Sequence, residues 1–86
     1  MMKEIVTINM DKSLEARATA MLVQVANRYD SNLFIEVAEK MVNLKSIMGV
    51  MSLVLDNGET VTLLADGSDE KAAVEGVCGF LTGMAS

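Results

Sequence analysis

The side chains able to do chemistry fall in two short stretches of this 86-residue sequence. Ser46 follows Lys45 and opens the segment Ile47-Met48-Gly49-Val50-Met51-Ser52. A serine hydroxyl at a helix start has two uses. It accepts from the free backbone N–H groups of the first turn, which stabilises by about 1 kcal/mol. Alternatively it takes a phosphoryl group, because the positive end of the helix tolerates added negative charge. Both readings fit Ser46. Glu15 and Arg17 form the second stretch. They fit a solvated ion pair contributing at most a few tenths of a kcal/mol, or a fixed negative charge read by a guanidinium. A carboxylate at Glu15 can also accept phosphate as an acyl phosphate.

Composition removes most other chemistry. There is no histidine, so imidazole as base, shuttle, phosphoacceptor or metal ligand is excluded. Cys78 is the single cysteine, which excludes an intrachain disulfide and a cysteine-based zinc site. Its position on an apolar stripe predicts a buried, inert thiol. Asp66, Ser68 and Glu70 have the alternating spacing of a calcium loop, but Val77 stands where a bidentate glutamate is needed. The isolated Gly58 and Gly67 make no phosphate-binding loop. The net charge is −5, which argues against a nucleic-acid partner, since that needs clustered Lys and Arg. Residues 1–55 are neutral overall, and residues 56–86 carry one base, Lys71, against six acids. One working face and one solubilising face are expected. No apolar run approaches the roughly 20 residues of a membrane span, and no signal-peptide pattern opens the chain, which points to the cytoplasm.

The elements that must position these residues follow from periodicity. Lys3 to Asn9 alternates, with Val6 and Ile8 on one face: a half-buried strand. Ala16 to Arg28 is rich in helix formers. Ala20, Leu22, Val23 and Ala26 are expected to face the core, with Arg17, Met21, Gln24 and Arg28 on the opposite stripe. Leu33, Ile35 and Val37 alternate with Phe34 and Glu36 as a second strand, and Met41 to Leu44 makes a short third. A short helix is predicted from Ser46 to Ser52. Asp56-Asn57-Gly58 is a turn signal before a fourth strand, Glu59 to Ala65. Ser68 is the cap candidate for a last helix, whose core stripe is Val74, Val77, Cys78 and Leu81. A single α+β domain over 1–86 is expected, in the order β-α-β-β-α-β-α. Four short strands fit one antiparallel sheet with three helices on one face. The predicted short helix cannot bury all of Ile47, Met48, Val50 and Met51. The polarisable methionines, with Met21, either fill gaps in an aromatic-poor core or form an adaptable docking surface.

Residues 42–53, Val-Asn-Leu-Lys-Ser-Ile-Met-Gly-Val-Met-Ser-Leu, resemble the regulatory-serine segment of the Gram-positive HPr family, the phosphocarriers of the sugar phosphotransferase system. Ala65-Asp66-Gly67-Ser68-Asp69-Glu70 resembles the turn before that family's last helix. Leu14-Glu15-Ala16-Arg17-Ala18-Thr19-Ala20 resembles its active-site loop, with departures. The resemblance runs over nearly the whole chain in order and implies the family's open-faced β-sandwich. Glu15 stands at the family's phosphohistidine position, Ala18 at its proline and Ser13 at its loop glycine, while Arg17 is retained. The resemblance therefore implies a regulatory HPr-like paralogue of catabolite repression, without enzymatic activity, metal or cofactor. It implies phosphorylation of Ser46 by an HPr kinase/phosphorylase. It also implies a LacI-type transcription regulator such as catabolite control protein A as the partner, while the residue chemistry supplies the expected docking face: Arg17, Met21, Lys45, Ile47, Met48 and Met51. Two alternatives stay open: a phosphocarrier-related protein using or mimicking phosphate at Glu15, and a constitutive protein-binding module in which Ser46 only caps.

Overall fold

The computed structural model describes residues 1–9, 18–53 and 58–83. The elements are β1 (Met2–Thr7), α1 (Ala18–Ala26), β2 (Asn32–Val37), β3 (Lys40–Asn43), α2 (Ile47–Met51), β4 (Thr60–Asp66) and α3 (Glu70–Leu81). This is the order the periodicity predicts. The four strands form one antiparallel sheet ordered β1-β4-β2-β3, with helices on one face. The turn at Asp56 and Asn57 lies outside the described residues. Gly58, just after it, has φ 89 and donates its N–H to the Ile8 carbonyl at 2.8 Å.

The sheet's register follows from its alternation. Val6 pairs with Val61, Leu63 with Ile35, Ala65 with Leu33 and Ile35 with Val42. All of these are buried, because successive side chains point to opposite faces and these share the helix-covered one. The opposite face carries Thr60, Thr62, Glu36 and Asn43, along with the exposed Ile5 and Met41. The β2–β3 hairpin closes through Ala38 and Glu39, with Ala38 held at φ 58, a conformation that suits glycine better.

Helix α3 packs on β1, β4 and α1, and buries Ala73, Val74, Val77, Phe80 and Leu81. Helix α1 buries Leu22, Val23 and Ala26. Three expectations need correction here. Ala20 is exposed rather than core-facing. At roughly 100° per residue it lies well off the stripe through Leu22, Val23 and Ala26. Gln24 and Arg28 are exposed as expected, but Met21 is half-buried against the core, so it does not share their stripe fully. Cys78 is also half-buried rather than buried. It lies with Glu75 and Thr82 on a neighbouring face of α3, turned toward Glu4 and Val6 of β1. Partial burial and the nearby Glu4 carboxylate push its thiol pKa up, away from the reactive thiolate.

The cap of α3 is the fourth correction. The N-cap residue is Asp69, not Ser68, and its carboxylate makes no capping bond to its own helix. It accepts instead from the Asp30 and Ser31 N–H groups, each at 2.9 Å, and from the Ser31 hydroxyl. These donors hold the Asp69 carboxyl below the usual aspartate range, the Ser31 hydroxyl contributing most. The same turn requires Gly67, since a Cβ there would lie 2.7 Å from the Ser31 Cα.

Candidate functional site

Ser46 begins α2 in extended conformation, φ −98 and ψ 111. Its Oγ accepts from the Gly49 N–H at 3.2 Å, and its carbonyl accepts from the Val50 N–H at 3.0 Å. The capping reading is thus present in the geometry. The bond is long and the residue exposed, so the hydroxyl is open to an approaching group. At the other end Ser52 closes the helix, its Oγ donating to the Gly49 carbonyl at 2.6 Å. Each end of the helix is therefore capped by a serine that engages part of its free backbone groups.

A helix of five residues gains little from its own hydrogen bonds and depends on packing. Val50 supplies the anchor and is fully buried. Gly49 lets the helix settle close to β3, since a Cβ there would lie 2.8 Å from Val42 Cγ1. With those positions turned inward, the remaining apolar side chains face water. Met48 is 81% exposed, Met51 66% and Ile47 50%. Of the two readings for these residues, gap filling is overturned: none of the three lies in the core. Met21 on α1 does pack against the core.

Lys45 is half-buried, and its ammonium donates to the Tyr29 carbonyl at 2.6 Å. Its backbone N–H donates to Asn43 Oδ1 at 2.8 Å. Glu15 and Arg17, with Ser13, lie outside the described residues. Among the described residues no cluster of His, Cys, Asp or Glu could hold a metal ion, and no helix is long and apolar enough to cross a membrane. The site assembled here is a weakly engaged hydroxyl, a lysine root and an exposed Ile-Met-Met patch. Such a patch suits recognition by another protein, since exposed unbranched methionines adapt to a partner surface.

Residues 2–82 match the family described as the PTS HPr component phosphorylation site. This chain belongs to the HPr family. Among curated proteins it is similar to the HPr-like protein Crh of Halalkalibacterium halodurans, 44% identical over 81 residues, which cover 94% of this chain and 96% of that one. Among solved structures it resembles the phosphocarrier protein HPr from Bacillus anthracis, with a TM-score of 0.86 and 39% identity, covering 93% of this chain and 95% of that one. It also resembles Crh from Bacillus subtilis, with a TM-score of 0.76 and 41% identity, covering 100% and 99%. That protein was described as a dimer with a swapped domain. The open-faced sandwich expected from the sequence is thus the HPr fold, and within the family the chain is Crh-like.

Some features of the site have no local signal. The 16-residue separation of Lys45 from Tyr29, and the 38 residues between Ser31 and Asp69, hide both contacts from any spacing rule. Exposure of Ile5 and Met41 was legible in principle, from their outward positions in alternating strands.

Proposed function

We propose that this HPr-family chain is a non-catalytic regulatory protein of carbon catabolite control, of the Crh type and cytoplasmic. An HPr kinase/phosphorylase transfers the terminal phosphoryl group of a nucleoside triphosphate to Ser46 Oγ, releasing the hydroxyl proton and the diphosphate. The phosphorylated protein then docks on a LacI-type transcription regulator such as catabolite control protein A. Ile47, Met48 and Met51 form the centre of the contact, with Arg17, Met21 and Lys45 at its border. The observation that carries this reading is the exposed Ser46 hydroxyl directly beside three solvent-facing apolar side chains. A phosphate there adds charge to an adaptable apolar patch, so affinity and its switch lie on one surface.

Glu15 at the family's phosphohistidine position makes the chain incompetent as a histidine phosphocarrier. A carboxylate is no substitute for an imidazole matched to the family's donor and acceptor sites. The test is incubation with an HPr kinase/phosphorylase and ATP, read by mass, followed by titration with the regulator. One phosphoryl group on Ser46 and binding only of the modified form are expected. Absence of labelling would leave Ser46 as a cap and the chain as a constitutive binding module. Incubation with Enzyme I and phosphoenolpyruvate should leave Glu15 unlabelled, and a hydroxylamine-sensitive label there would restore a carrier role.

A further inference from the structure

Lys45 precedes Ser46, and its ammonium is already engaged. It donates to the Tyr29 carbonyl at 2.6 Å, while the Lys45 backbone is tethered to Asn43 Oδ1. Tyr29 begins a turn whose far side is clasped by Asp69, through the Asp30 and Ser31 N–H groups and the Ser31 hydroxyl. Ser31 is 1% exposed. Two glycines close the junction: Gly67 lies against Ser31, and Gly76 leaves room for the Tyr29 hydroxyl. The entry to α2, the α1–β2 turn and the start of α3 thus meet through one lysine and one aspartate.

We propose that Lys45 is a switchable strut: it pins the Tyr29–Ser31 turn in the unmodified protein, and a phosphoryl group on Ser46 draws its ammonium off the Tyr29 carbonyl. This rests on the reading of Ser46 as a phosphoacceptor and names a consequence of its modification. The Tyr29 carbonyl offers the ammonium a dipole, whereas a phosphoryl group offers it a charge of about −1.5 to −2. Neighbouring Cα atoms are only about 3.8 Å apart, within the span of a flexible four-carbon stem. Once the strut lets go, the Tyr29 carbonyl turns to solvent and the clasp on Asp69 loosens. The modification is then felt at the first turn of α3, an element that carries none of the proposed docking side chains. Lys45 acts through Tyr29, so it is a positioning residue.

Amide hydrogen exchange at Asp30 and Ser31 reads the strut directly, because both N–H groups donate to Asp69. Protein phosphorylated on Ser46, verified by mass, should exchange at these amides roughly fivefold faster, as expected for loss of about one hydrogen bond of ordinary net strength. Ser46→Asp should move them the same way by less. Lys45→Met should exchange fast from the outset and respond to neither charge, and Lys45→Arg should restore the response. Equal acceleration in the Lys45→Met background would overturn the strut, as would unchanged exchange in both charged forms. Failure of the kinase to label Ser46 would count against the phosphoacceptor reading alone, since Ser46→Asp tests the strut without the kinase.

Discussion

Helices α2 and α3 both start at a small polar residue and both carry apolar side chains, yet they spend these on opposite ends. Helix α2 is five residues long, with one buried anchor, Val50, and three apolar side chains in water. Helix α3 is twelve residues long and buries Ala73, Val74, Val77, Phe80 and Leu81. Their N-caps differ in the same way. Ser46 turns its hydroxyl to its own helix and stays exposed, whereas Asp69 sends its carboxylate across to another turn. The polar start of α3 is tied into the tertiary structure, and the polar start of α2 is left open. An element can offer apolar surface to a partner when something else in the chain carries stability, and here α3 with the sheet does so.

The largest effect expected from this contrast is on α3. Leu81→Ala should cost about 2–5 kcal/mol of folding stability, most of the total for a domain whose stability is near 5 kcal/mol at the low end. A denaturant titration checks it, and a small loss would mean that α3 is not the stabilising element.

The Asp69 clasp comes next, and it is a matter of pH. The Asp69 carboxyl is held below its ordinary value, chiefly by the Ser31 hydroxyl and then by the Asp30 N–H. Its contribution is therefore present above the unfolded-state pKa of about 3.9 and is lost as pH falls through the lower folded value. Glu70, lowered by the N-terminal ammonium and the Gly67 N–H, acts with the same sign. Asp69→Asn should be less stable at neutral pH and should show a flatter loss of stability in acid. Thermal melts between pH 2 and 6, a range set around ordinary carboxylate pKa values of about 4, would show it. Parallel acid profiles for the two proteins would remove the clasp.

Ser46→Ala sharpens the contrast between the two caps. It should remove labelling by the kinase altogether while costing roughly 1 kcal/mol of stability, the ordinary loss of a serine cap. Labelling that persists in this variant would place the phosphoacceptor elsewhere.

The smallest stability effect belongs to Met48→Ala. At 81% exposure this side chain has little burial to lose, so stability should stay within about 0.5 kcal/mol. Affinity of the Ser46-phosphorylated form for the proposed regulator should meanwhile fall by about tenfold or more, as for a residue near the centre of an interface. A melt beside a binding titration separates the two, and a collapse of the melting temperature would return Met48 to the core.

The element order, the strand faces through Val6, Leu33, Ile35, Val61 and Leu63, and the stripe Val74, Val77 and Leu81 were all legible in the sequence. Burial imposes a period of two on strands and of 3.6 on helices, and these residues keep it. Ser46 was legible as a cap for a similar reason, since the capping bond spans only three residues. That α2 must expose some of its apolar residues also followed from its length. The tertiary structure alone decided which of them are exposed, because only the approach of Gly49 to Val42 turns Val50 inward and leaves Met48 outward. It alone moved Ala20 off the core, left Cys78 half-buried at the core's edge, gave the α3 cap to Asp69 and engaged the Lys45 ammonium. A period says which residues share a face, but not where the next element lies, and a hydrogen bond across 16 or 38 residues exists only once the chain has closed those loops.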